Sequence, residues 1–124
     1  MYSKFEFKKI PLKDISLDDR NPRIVSQTKL TSQTKILEYL FEYEDLLEFV
    51  QKIAAEGKNH GAERPYVVAS GSNYTVIEGN TRVAAYKILT GLIEAKNHFP
   101  AGVPHISDEV KKEMLALDCS ISPN

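Results

Sequence analysis

Val76-Ile77-Glu78-Gly79-Asn80-Thr81-Arg82-Val83-Ala84-Ala85-Tyr86-Lys87-Ile88-Leu89 reads as a strand, a turn and a helix in immediate succession. Tyr74-Thr75-Val76-Ile77 is aromatic and β-branched and too short for a helix, so it enters as a strand. Val83, Ala84, Ile88 and Leu89 then recur at helical spacing, with Gly91 as the stop. Between them Gly79 frees the backbone to turn, and Asn80 is of the residue type that caps helix starts. A helix start presents N–H groups and a partial positive charge to an anion. Arg82 adds a planar, permanently charged fork in the first turn, matched to phosphate oxygens. The same residues also admit a plainer role. Gly-Asn ahead of an amphipathic helix is ordinary capping, and Arg82 can pair with Glu78 four residues earlier.

The wording of the stretch resembles the second conserved box of the ParB N-terminal/sulfiredoxin superfamily, which sits at a strand-to-helix turn. It is most similar to a branch reading Glu-Gly-Asn-Arg-Arg-Leu-Ala-Ala, matched here by Glu78-Gly79-Asn80-Thr81-Arg82-Val83-Ala84-Ala85. Asn21-Pro22-Arg23 resembles the family's upstream box, Leu46 to Gly57 its helix ending in glycine, and Pro65-Tyr66-Val67-Val68 the strand after it. The resemblance implies a small mixed sheet with packed helices, a single α/β (α+β) domain. It also implies nucleotide phosphates held at the turn by Gly79, Asn80, Thr81 and Arg82, with Asn21 and Arg23 contributing. The ligand it implies is a nucleoside triphosphate, with Mg as companion. DNA association would come through a longer, bacterial-type protein, and a homodimer stays open.

Departures from the family pattern limit what carries over. Sulfiredoxin's catalytic cysteine falls at Asn80 and its neighbouring histidine at Thr81, while Cys119 lies far outside the turn, so sulfiredoxin chemistry is not expected. In the ParB pattern Thr81 and Ala84 are arginines. Each charge-assisted contact is worth roughly 1.5–3 kcal/mol, so losing two cations weakens triphosphate binding severely. Glu78 is the single acid beside the turn and the one weak catalytic candidate. Three readings follow: a phosphate- or nucleotide-binding module, an NTPase or nuclease, and a protein-interaction domain that kept the fold and lost the ligand.

Composition bounds these readings. The chain has 124 residues, 42% hydrophobic and 27% charged, which suits one soluble domain over residues 1–124. The sequence stops just after a strand-like run, which reads as the N-terminal part of a longer protein. No apolar run reaches membrane-spanning length, Met1 to Glu6 does not read as a signal peptide, and one cysteine cannot form an internal disulfide, so a cytoplasmic setting with no membrane partner is expected. His60, His98 and His105 lack ligand spacing, so no metal site is assigned. The net charge of −1 argues against clamping duplex DNA by charge alone. Yet residues 1–35 hold eight Lys/Arg against four Asp/Glu, and residues 36–56 one against six, so a basic face and an acidic helix are expected.

Along the chain, residues 3–10 read as an edge strand with a lysine-rich outer face, and Pro11 to Ile15 as its extended continuation. Asp18 to Arg23 reads as a turn, with Pro22 keeping Asn21 out of the helical region. Thr31 or Ser32 can cap a helix carrying Ile36, Leu37, Leu40 and Phe41; a second stripe of Leu46, Leu47, Val50, Ile53 and Ala54 follows a bend at Glu42 to Asp45. Phe41, Tyr43 and Phe49 read as core or rim. Gly57 suits a helix C-cap, and His60 falls in a polar loop. Gly71-Ser72-Asn73 links two strands as a hairpin. Ser107 is expected to cap a helix from Asp108 to Leu117, and Asp118 to Ser122 forms a last strand with Cys119 buried.

Overall fold

A computed structural model describes residues 6–17, 33–56 and 64–122. The strands are β1 (Glu6–Pro11), β2 (Ile15–Ser16), β3 (Tyr66–Ser70), β4 (Asn73–Glu78) and β5 (Ala116–Ile121). The α-helices are α1 (Gln33–Tyr43), α2 (Leu46–Glu56), α3 (Asn80–Leu89) and α4 (Asp108–Met114). The strands form one mixed sheet in the order β1-β5-β3-β4-β2. Within it β5 runs antiparallel to β1 but parallel to β3, and β2 runs parallel to β4. The expected α+β class is what the chain adopts.

β1 is an edge strand, as its lysines suggest, and Ile10 is its one buried residue. The extended continuation expected after it is replaced by a 3-10 turn over Leu12–Asp14. The reason is burial: Leu12 and Ile15 are both fully enclosed, and Leu12 N–H donates to Leu115 O at 2.7 Å. This turn carries the chain from one edge of the sheet to the other. At Leu17 the backbone is clamped by Gln33, whose side chain accepts from Leu17 N–H at 2.7 Å and donates to Leu17 O at 3.1 Å.

α1 and α2 meet at the expected bend. Asp45, at φ 57°, adopts the left-handed conformation that a short polar side chain tolerates, so the break needs neither Gly nor Pro. Ile36, Leu37, Leu40, Leu46, Val50 and Ile53 are buried as read, whereas Leu47 faces outward at 36% exposure. Phe41 stacks on His98 with ring centroids 3.7 Å apart, and His98 Nε2 lies 3.0 Å from Glu38 Oε1. That contact ties the segment after α3 to α1.

α3 runs through the centre of the core. Val83, Ala84, Ala85, Tyr86 and Ile88 are buried, and the small alanines let α2 pack closely against it. It ends in the bond pattern of a Schellman motif, with Gly91 N–H donating to Ile88 O and Leu92 N–H to Lys87 O. α4 starts as expected, the Ser107 hydroxyl accepting from Val110 N–H at 3.2 Å. It is shorter than its pattern suggested, because β5 begins at Ala116 and Leu117 pairs with Ile10 across the sheet. Among the described residues no helix is long and apolar enough to cross a membrane.

Candidate functional site

The turn between β4 and α3 is built on Gly79. Its φ of 110° and ψ of 21° lie where an L side chain is strained. A second constraint acts on the same atom position: a Cβ here would lie 3.1 Å from Pro65 Cα and 3.3 Å from Pro65 Cβ. Pro65 is held in place by its own carbonyl, which accepts from Ser120 N–H at 2.9 Å. The glycine is therefore required twice, by torsion and by its neighbour.

Gly79 is also the N-cap of α3, its carbonyl accepting the first intrahelical bond from Val83 N–H at 3.1 Å. Asn80, expected to be the cap, is instead the first helical residue. The physical reason is that the left-handed glycine already turns the chain, so the helix begins one residue after it. Asn80, Thr81 and Arg82 thus form the first turn, all half-buried, with Glu78 exposed at the end of β4. The strand holding Val76 and Ile77 and the helix start at Asn80 stand as read.

Arg82 makes contacts with two aromatic side chains, Phe49 and Tyr86. Its guanidinium carbon lies 5.7 Å from the centre of the Phe49 ring, a cation–π contact from α2. It also hydrogen-bonds Tyr86, one turn further along α3. Burial pushes the Tyr86 hydroxyl above its ordinary range, and the Arg82 hydrogen bond and charge pull it partly back. Tyr86 is among the largest fully buried side chains. Arg82 is consequently held in one place by α2 and α3 together, with part of its five-donor fork committed to Tyr86. Phe49, Tyr86 and Pro65 were not read as site residues. The four-residue step from Arg82 to Tyr86 carried a signal for one of them; Phe49 and Pro65 reach the turn only through tertiary packing.

Asn21 and Arg23 lie outside the described residues, as do Thr31, Ser32, Gly57 and His60. β2 runs parallel to β4, so the chain at Leu17 heads toward the end of the sheet where Gly79 sits. Among the described residues, grooves lie away from the turn. One, of about 340 Å³, is walled by Ile88, Ile93, Val103 and Ile106 near the C-terminal end of α3. Another, of about 280 Å³, adjoins it at Pro104 and His105. Cys119 is fully buried, and burial with the Asp118 charge pushes its thiol up to about 11, which suits the inert role read from the sequence. Among the described residues no group of three or more His, Cys, Asp or Glu side chains is placed to hold a metal ion.

Fold and turn together define an α+β domain with a glycine-hinged, arginine-bearing helix start. Neither the family models nor the curated proteins nor the solved structures provide a match to the chain.

Proposed function

We propose that the Gly79–Arg82 turn recognises phosphate, and that the chain is a ParB-like nucleotide-binding module of a DNA-associated protein. The observation that carries this reading is the pairing of two fixed features. Gly79 is held left-handed against Pro65, and the first-turn guanidinium of Arg82 is positioned by Phe49 and Tyr86. A preformed cation beside a helix start lowers the ordering cost of binding an anion. In this reading Arg82 and the amides of Asn80 and Thr81 meet phosphate oxygens. Asn21 and Arg23 belong to it by sequence alone. The ligand class is a nucleoside triphosphate, with Mg bound to the phosphates.

Calorimetric titration with nucleoside mono-, di- and triphosphates, with and without magnesium, tests the proposal. Affinity should rise from nucleoside to triphosphate, and a triphosphate at a hundred times its Kd should stabilise the fold by about 2.7 kcal/mol. A nucleoside that binds as tightly as its triphosphate, or a panel with no binder, contradicts it. Phosphate release followed in the same samples shows whether the module also hydrolyses its ligand, with Glu78 the acid to replace first.

A second reading rests on the same contacts. Arg82 bridges α2 and α3, as a structural strut does, and the positions of Thr81 and Ala84 supply no further cations. This favours an interaction domain without a nucleotide. It predicts a stability loss in Arg82→Ala and no ligand to lose.

A further inference from the structure

The core lies on one side of the sheet, and the strands show this residue by residue. Ile10, Val67, Val76, Leu117, Cys119 and Ile121 alternate onto that side and are buried. On the other side Phe7, Lys9, Ser120, Tyr66, Thr75 and Ile77 face away from the core, and none of them is buried. Register aligns part of this outer face into a row. Phe7 is opposite Ser120, and Ser120 is opposite Tyr66, so two aromatic side chains stand two strands apart with a serine between them. At the strand spacing of about 4.8 Å their Cα atoms are about 10 Å apart. On β4 the residue opposite Tyr66 is Glu78, with Ile77 beside it where the pairing shifts register.

Phe7 is 65% exposed and Ile77 43%, both high for large apolar side chains. Arg64 places its guanidinium carbon 4.7 Å from the Phe7 ring centre. Lys9 lies on the same face, 3.4 Å from Asp118. The row is therefore aromatic, with the Arg64 guanidinium on Phe7, the Lys9–Asp118 ion pair beside it, Glu78 opposite Tyr66, and hydroxyls from Ser120 and Thr75 between.

We propose that this outer sheet face binds single-stranded nucleic acid, with bases stacking on Phe7 and Tyr66 and the sugar–phosphate chain meeting Arg64 and Lys9. The chemistry matches a stacking platform. Aromatic rings accept the faces of unpaired bases, a guanidinium stacks and contacts phosphate, and hydroxyls bond to bases or sugars. Duplex nucleic acid hides its base faces in the stack and gains nothing from the aromatic row. A second copy of the chain fits less well, because the cores of homodimer interfaces are largely apolar and this face alternates apolar groups with hydroxyls and an ion pair. The proposal stands independently of the Gly79 turn.

Fluorescence anisotropy with a labelled oligothymidylate of about 12 nucleotides, and with a duplex of equal length, tests it. The single strand should bind at least tenfold more tightly than the duplex. Phe7→Leu and Tyr66→Leu should each lose about tenfold, while Phe7→Trp keeps wild-type affinity or better. Arg64→Gln should reduce the slope of log affinity against log salt by about 0.7. Phe7 is mostly exposed, so Phe7→Leu should melt as the wild type does, which separates stacking from folding. Absence of binding, equal affinity for the duplex, or unchanged affinity in both leucine variants overturns the proposal. So does a concentration-dependent dimer in sedimentation velocity that Phe7→Leu abolishes without any oligonucleotide binding, which would assign the face to a second copy. Arg82→Ala should keep oligonucleotide affinity, so failure here and failure of the phosphate reading appear in different variants.

Discussion

Replacing Gly79 with alanine puts the two constraints on the turn into numbers. An L residue forced into left-handed backbone costs about 1–2 kcal/mol. The added methyl would also lie 3.1 Å from Pro65 Cα, a backbone atom held by the Pro65–Ser120 hydrogen bond, so little relaxation is open to it. Overpacking of this kind costs about 1–3 kcal/mol, and the reduced freedom of the unfolded chain returns about 0.4–1 kcal/mol. The net loss for Gly79→Ala should be about 3 kcal/mol. Gly71 supplies the internal control, since it has φ +66° and nothing within 4 Å of a built Cβ. Gly71→Ala bears the torsional cost alone and should lose about 1 kcal/mol or less. Urea denaturation of the three proteins at one pH measures both values from midpoints at constant slope. Equal losses for the two variants would refute the reasoning, because they would show that Pro65 does not press on the turn.

Gln33→Ala removes two hydrogen bonds from the buried Leu17 backbone and should cost about 2 kcal/mol in the same urea assay; a loss under about 0.5 kcal/mol would mean that the clamp contributes nothing. Ser107→Ala should cost about 1 kcal/mol through the lost cap on α4, and an unchanged midpoint would contradict the capping role. Cys119 should be unreactive toward a thiol reagent at pH 8 in the folded protein and react fully in denaturant. Because its folded value is raised to about 11, the folded state holds the proton longer than the unfolded chain. Stability relative to Cys119→Ser should therefore fall as pH rises from about 9 to about 11, by up to about 1.4 kcal/mol per unit. Parallel pH profiles for the two proteins would contradict the burial argument.

Where local chemistry decided the structure, the residues were readable in advance. The strand into Gly79, the helix after it, the Ser107 cap and the burial of Cys119 each follow from a short pattern and its own backbone needs. The misreadings share a cause in tertiary competition. Asn80 is a good cap by type, but Gly79 already supplies the turn against Pro65, a residue brought there by β3. Leu117 fits the apolar stripe of a helix, yet pairing with Ile10 across β1 and β5 claims it for a strand. Leu12 sits in a run that looks extended, and its burial under the Leu115 carbonyl tightens that run into a 3-10 turn. At the site the same distinction holds. Arg82 is legible as a first-turn cation, but its contact with Phe49 is not, because Phe49 is near it only in the folded chain.

The most direct test of the phosphate reading is calorimetric titration of wild type and Arg82→Ala with the tightest nucleotide of the panel, below the melting transition of both. Loss of one guanidinium contact should weaken binding by about tenfold to a hundredfold, from roughly 1.5–3 kcal/mol, and Arg82→Lys should recover only part of it. Higher salt should weaken the wild type more than the alanine variant. Equal affinities, accompanied by a lowered melting temperature in Arg82→Ala, would contradict the account and leave Arg82 as the strut between Phe49 and Tyr86.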